Sequence, residues 1–194
     1  KPENIVVSNG AKHALVNALC AVLNPGDEVI LPAPYWVSYP EMIAIADGTT
    51  VVLETKEENN FKFTPDDLKS AITSKTKALI LNSPSNPTGM IYTKEELSEI
   101  AKIVVENDLI VISDEIYEHL IYEGERVSIA SFGDEIKERT IIINGLSKTF
   151  SMTGWRIGFI AGPEGIVKAV NKLQGQYTSG PCSVSQKAAE AAYT

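Results

Sequence analysis

Seven short runs rich in β-branched and apolar residues recur along the chain, each followed by a longer stretch with helical periodicity or turn chemistry. The expected strands are Ile5–Ser8, Glu28–Leu31, Thr50–Leu53, Ala78–Asn82, Leu109–Ser113, Thr140–Asn144 and Ile157–Ala161. Runs such as Ala78-Leu79-Ile80-Leu81 and Ile110-Val111-Ile112 are apolar at every position. A strand of that kind must be covered on both faces. Between the runs, Leu15, Ala18, Leu19, Val22 and Leu23 form one helical stripe of Ala11–Leu23, and Leu97, Ile100, Ala101 and Val104 do so in Lys94–Glu106. Thr64-Pro65-Asp66-Asp67 carries a cap and a proline suited to the first helical position. The expected fold is a three-layer α/β/α sandwich around a mostly parallel mixed sheet. In such sheets ligands sit beyond the carboxyl ends of the strands.

Composition narrows the partners. Acidic residues number 25 against 17 basic ones, a net charge of −8, which argues against a nucleic-acid backbone or an anionic membrane surface. No apolar run approaches the length of a membrane-spanning helix. Two cysteines, Cys20 and Cys182, are too few for a disulfide framework, so a cytoplasmic setting with reduced thiols is the expectation. The chain opens on Lys1 and closes on Ala191-Ala192-Tyr193-Thr194 without a stop signal. Residues 1–194 are therefore read as an internal segment of a longer protein.

The strand ends carry the chemistry. Ile5–Ser8 runs into Asn9-Gly10-Ala11-Lys12, where a glycine at a helix N-terminus suits an anion; taken alone, the junction reads equally as a plain strand-to-helix turn. Ala78–Asn82 leads to Ser83-Pro84-Ser85-Asn86-Pro87-Thr88-Gly89, a stiff loop able to hold the Asn86 amide in one direction, or simply a turn-rich connection. Leu109–Ser113 delivers Asp114, whose carboxylate, after four apolar residues, requires a positive or protonated partner unless it serves as a helix cap. Tyr117 lies three residues on and shares its face if the chain turns helically. Thr140–Asn144 delivers Gly145-Leu146-Ser147-Lys148, with Arg156 following. Lys148 stands among small and apolar residues, where desolvation would favour a neutral, imine-forming amine. Arg156 offers a fork suited to phosphate.

Three motifs in order, Ser-Asn-Pro-Thr-Gly at 85–89, Ser-Asp-Glu-Ile-Tyr at 113–117 and Ser-Lys-Thr-Phe-Ser-Met-Thr-Gly-Trp-Arg at 147–156, resemble the class I/II aminotransferases of pyridoxal-phosphate (PLP) fold type I. The segment Pro34-Tyr35-Trp36-Val37-Ser38-Tyr39-Pro40 resembles in particular their bacterial aspartate aminotransferase branch. The resemblance covers essentially the whole chain. It implies a PLP-binding large domain, lacking an N-terminal segment and a C-terminal small domain that carries the arginine for the substrate α-carboxylate.

Residue roles follow from the resemblance alone. Lys148 matches the lysine that carries the cofactor, and Asp114 the carboxylate paired with the pyridine nitrogen. Tyr117 and Asn86 match the partners of the ring 3′-oxygen. Gly10, Ala11, Ser147 and Arg156 match phosphate contacts, and Trp36 the stacking aromatic. Trp36 and Asn86 also match the substrate side, and Lys12, counted with both the cofactor and the substrate residues, matches a lysine that faces the substrate's distal carboxylate, unless it is simply a surface residue. Lys148, Asp114 and Tyr117 are thus the implied catalytic residues. Gly145 departs from the pattern, since some members place a phosphate-binding serine there. The prolines at 34 and 87 match positions that follow cis peptide bonds. The implied activity is transfer of an amino group between an L-amino acid, aspartate foremost, and 2-oxoglutarate by a homodimeric enzyme. The alternatives are another fold-type I reaction such as β-elimination, or the PLP-sensing domain of a transcription regulator.

Overall fold

The computed structural model describes Lys1–Thr194. The chain runs β1 (Ile5–Ser8), α1 (Ala11–Val22), β2 (Glu28–Pro32), α2 (Tyr39–Ile45), β3 (Thr49–Leu53), α3 (Pro65–Ala71), β4 (Thr76–Asn82), α4 (Lys94–Glu106) and β5 (Ile110–Asp114). It continues through α5 (Asp134–Lys137), β6 (Thr140–Gly145), α6 (Leu146–Thr149), β7 (Gly158–Ala161), α7 (Glu164–Tyr177) and α8 (Ser183–Tyr193). The strands form one sheet in the order β1-β7-β6-β5-β4-β2-β3. β7 is antiparallel to both β1 and β6, and every other pairing is parallel.

Alternation along the strands builds the layers. In β4, Ala78 and Ile80 enter one apolar cluster and Leu79 and Leu81 the other. In β5, Ile112 and Val111 divide the same way. Successive side chains point to opposite faces, so the two clusters lie on opposite sides of the sheet. The first is closed by Leu15 and Leu19 of α1, Ile43 of α2 and Val170 of α7. The second is closed by Leu68 of α3 and Leu97, Ile100 and Val104 of α4. The expected three-layer α/β/α sandwich is the observed architecture.

Local chemistry sets the helix starts. Thr64 caps α3 in a reciprocal box with Asp67, with Pro65 at the first position, as its sequence implied. Thr93 and Glu96 form the same box on α4. Peptide bonds Ala33–Pro34, Ser83–Pro84 and Asn86–Pro87 are cis. Two strand bounds differ from expectation in a way that matters for the site. β5 ends on Asp114 itself, because its backbone still pairs with Ile143 of β6. Ile157 precedes β7, its carbonyl accepting from the Leu146 amide instead of a ladder partner. No helix is long and apolar enough to cross a membrane.

Candidate active site

The carboxyl ends of β4, β5 and β6 and the N-terminus of α1 enclose a cavity of about 310 Å³. Ala11, Lys12, Trp36, Asn86, Asp114, Tyr117, Ser147, Lys148 and Arg156 all line it. Of the residues the sequence pointed to, Gly10 alone lies off the lining, directly behind it.

Asp114 is the most constrained of them. It is only 3% exposed. Oδ2 accepts from the Tyr39 hydroxyl at 2.8 Å and Oδ1 from the Ile116 amide at 3.2 Å. Burial pushes its carboxyl up to about 6, against the pull of those two bonds. No cationic side chain pairs with it. A buried carboxylate held by neutral donors alone is an acceptor waiting for a positive or N–H-bearing group. The capping alternative fails, since the chain beyond Asp114 makes turns rather than a helix. Those turns still bring Tyr117 into the cavity, through bonds such as Leu120 N to Tyr117 O.

Asn82, at the end of β4, ties two walls together. Its Nδ2 donates to the Asp114 carbonyl at 3.0 Å, and its Oδ1 accepts from the Asn86 amide at 2.8 Å. Asn86 is thereby aimed so that Nδ2 lies 3.5 Å from the Tyr117 hydroxyl. Burial, then the Asp114 charge, raises the Tyr117 phenol, while Asn86 lowers it. An amide donor and a phenol converging on one point suit a single oxygen of a ligand.

The opposite wall is cationic. The Lys148 ammonium lies 5.8 Å from the Tyr117 ring centroid. Lys12 sits 4.8 Å from the Trp36 centroid and donates to Ser38 Oγ at 3.1 Å. Arg156 donates to the Thr153 carbonyl at 2.9 Å, leaving the rest of its fork free to face the cavity. Lys148, Lys12 and Arg156 are all exposed. This corrects the expectation that Lys148 is desolvated: the chain furnishes a floor beneath it and no cover above it.

The α1 end of the cavity depends on missing side chains. Gly10 has φ 85, in the left-handed region, and a Cβ there would run into the Arg156 guanidinium. A Cβ on Gly158 would strike the backbone of Gly10 and Ala11. The Gly10 amide already donates to Ser8 O at 2.8 Å, so Gly10 contributes room rather than a hydrogen bond. The amides left without an acceptor within the helix are the first ones of α1, and these are the donors an anion could meet. The departure at Gly145 has a physical reason too. A Cβ there would stand 2.7 Å from the Ile157 carbonyl, so no serine fits.

Tyr39, Asn82, Leu15, Ile116 and Thr153 complete the lining and were not singled out from sequence. One signal was available for Tyr39. It follows Trp36 by three residues, and the two rings pack edge to face at 5.4 Å. The donor set fits PLP: an uncompensated buried carboxylate, converging phenol and amide, an aromatic wall, a lysine, and an amide-and-arginine cradle that a Cβ would fill.

The family model for aminotransferase class I and II matches residues 1–194. The chain is 55% identical to the aspartate aminotransferase of Bacillus subtilis (strain 168), covering 100% of this chain and 49% of that protein. It is 48% identical to the aspartate/prephenate aminotransferase of Thermus thermophilus, with coverage of 100% and 49%. Among solved structures, the Thermus thermophilus aspartate aminotransferase with maleate superposes with a TM-score of 0.93 at 48% identity, over 96% of this chain and 48% of that one. The Rhizobium meliloti aspartate aminotransferase gives 0.96 at 40% identity, over 99% and 48%. The chain thus spans about half the length of the relatives it matches.

Proposed function

Because this chain belongs to the class I and II aminotransferases, we propose that it is the PLP-binding large domain of an enzyme that moves an amino group between aspartate and 2-oxoglutarate. The observation that carries this reading is that one cavity is lined by both Asp114, a buried carboxylate with no cation paired to it, and Lys148. The relatives named above are aminotransferases, which supports amino transfer over β-elimination or a PLP-sensing regulator. The half of those relatives beyond this chain would supply the small domain, its substrate arginine and part of a homodimer interface. A cytoplasmic setting belongs to the same reading.

When bound, the cofactor supplies a carbonyl that condenses with amines and a ring that accepts electrons. Asp114 holds a proton on the ring nitrogen, its charge favoured once a cation meets it. Tyr117 and Asn86 would hold the ring 3′-oxygen, and Trp36 would offer its face to the ring. Ala11, Ser147 and Arg156 hold the phosphate, with Gly10 leaving room for it. Lys148 would hold the cofactor and, as a free amine, would take up and return a proton at the substrate Cα. Lys12, held by Ser38 beside Trp36, offers a cation to a distal carboxylate.

The test is chemical trapping. Borohydride reduction of the intact protein with PLP is expected to leave one covalent adduct, on Lys148, and to abolish aspartate–2-oxoglutarate transamination. An adduct mapped to any other lysine removes the assignment.

A further inference from the structure

α7 buries Val167, Val170 and Gln174 along one stripe. Two of the three are apolar, as a helix packed on a sheet requires. The third is an amide, 3% exposed. A buried amide must satisfy two N–H donors and an oxygen. Gln174 satisfies all of them. Nε2 donates to Val7 O at 2.8 Å and to Ser179 O at 3.4 Å, while Oε1 accepts from Ser8 Oγ at 2.6 Å and Asn17 Nδ2 at 3.1 Å.

These four bonds reach the end of β1, the middle of α1 and the connection between α7 and α8. Facing two carbonyls fixes which end of the Gln174 amide is nitrogen, and so fixes Asn17 as the donor to it. A weaker arm runs from Asn17 Nδ2 to His13 Nε2 at 3.2 Å, with His13 Nδ1 accepting from the Asn9 amide at 3.2 Å. A neutral imidazole has one acceptor nitrogen, so only one of those two contacts is a full hydrogen bond at a time. The arm through Ser8 carries the argument. Ser8 is fully buried, and its carbonyl holds the Gly10 amide of the turn under Arg156.

An apolar residue of similar volume at 174 would continue the stripe, but would leave Ser8 Oγ, Asn17 Nδ2 and the Val7 carbonyl without their partner, which is destabilising. What it would lose is the fixed register between α7 and the β1–α1 turn. Resting on the cofactor reading above, we propose that Gln174 is a positioning residue for the anion-binding turn: it locks the end of β1 and the start of α1 so that the first amides of α1 and Arg156 meet a phosphate at fixed separation.

The phosphate itself provides the test. PLP and pyridoxal, which lacks the phosphate, are titrated by absorbance into the intact protein freed of cofactor, with Gln174→Met and Ser8→Ala beside the wild type. Gln174→Met should weaken PLP by about tenfold, the scale of one or two lost net hydrogen bonds. Its pyridoxal affinity, and kcat at saturating PLP, should not change. Ser8→Ala removes one hydroxyl and should shift PLP affinity the same way by less, which keeps the test alive if Gln174→Met does not fold. Equal weakening of both compounds would make the role merely structural and overturn the proposal, as would unchanged affinity for both. A wild type that binds neither compound overturns the cofactor reading and this inference together. A wild type that binds both, with variants that do not discriminate, overturns this inference alone.

Discussion

Asp114 ends β5 and Lys148 lies in α6, just past the end of the neighbouring β6, and both line the same cavity. Asp114 is buried and doubly hydrogen-bonded, and the wall around it is cross-braced by Tyr39, Asn82 and Asn86. Lys148 is exposed, as are Lys12 and Arg156 on its side. The inner wall is built from strand ends whose backbones are fixed by the sheet ladder. The outer wall is built from a one-turn helix, a loop and the first residues of α1. An inner carboxylate is thus tuned by contacts within the chain, whereas the outer cations receive from it only position. Their solvation is left to whatever covers the cavity.

The largest effect should come from the outer wall. Lys148→Ala in the intact protein should lower kcat by at least the roughly 10²–10⁴-fold associated with a positioned proton carrier. Steady-state transamination measures it, and activity near that of the wild type would remove Lys148 from the chemistry. Next is the inner wall. Asp114→Ala should lower kcat by on the order of 10²–10³-fold, the cost of losing a preorganised charge. Its loss of PLP affinity should be smaller, because phosphate and lysine contacts survive. Parallel kcat and PLP titrations decide it; equal losses would make Asp114 a binding group only.

A third test isolates burial. The carboxyl of Asp114 rises on folding from 3.8 to about 6. A group raised in this way contributes stability that is complete below its ordinary value and is lost as pH rises through about 6. The cofactor-free protein should therefore lose up to about 3 kcal/mol across that window on account of this one residue. Asp114→Asn, which cannot ionise, should flatten that part of the pH profile in urea unfolding. A slope unchanged in the variant would place the cost elsewhere. The smallest effect concerns the brace. Tyr39→Phe leaves Asp114 Oδ2 without its donor and should cost about 1–3 kcal/mol. Because the Tyr39 bond lowers the Asp114 carboxyl, its loss should also carry the Asp114 limb of the curve, where stability falls with rising pH, to higher pH. An unmoved limb would show that the brace is decorative.

Much of this was legible in the chain. Strands such as Ala78–Leu81 announce burial on both faces because every position is apolar, and that alone predicts layers. The residues that meet in the cavity were legible for a different reason, since the motifs that carry the family resemblance name them where spacing alone leaves them open. What escaped was tertiary. Leu15 belongs to a helical stripe and read as core, yet it also lines the cavity. Gln174 breaks an apolar row, but three of its four partners lie more than 150 residues earlier in the chain. The exposure of Lys148 escaped because small and apolar neighbours in sequence do not specify what lies above a side chain in space. Gly10 matches a phosphate contact by resemblance, and sequence did not show that its amide donates to the Ser8 carbonyl within the turn.

Ser8, Gly158 and Gly145 stand side by side across β1, β7 and β6. At Gly158 and Gly145 there is no space for even a methyl group. Anyone wishing to remodel this pocket for a bulkier ligand will find its adaptability lopsided. The rim that bears Lys12 and Arg156 is open to solvent, while an enlargement at position 158 would push the first residues of α1 outward and carry their amides with them.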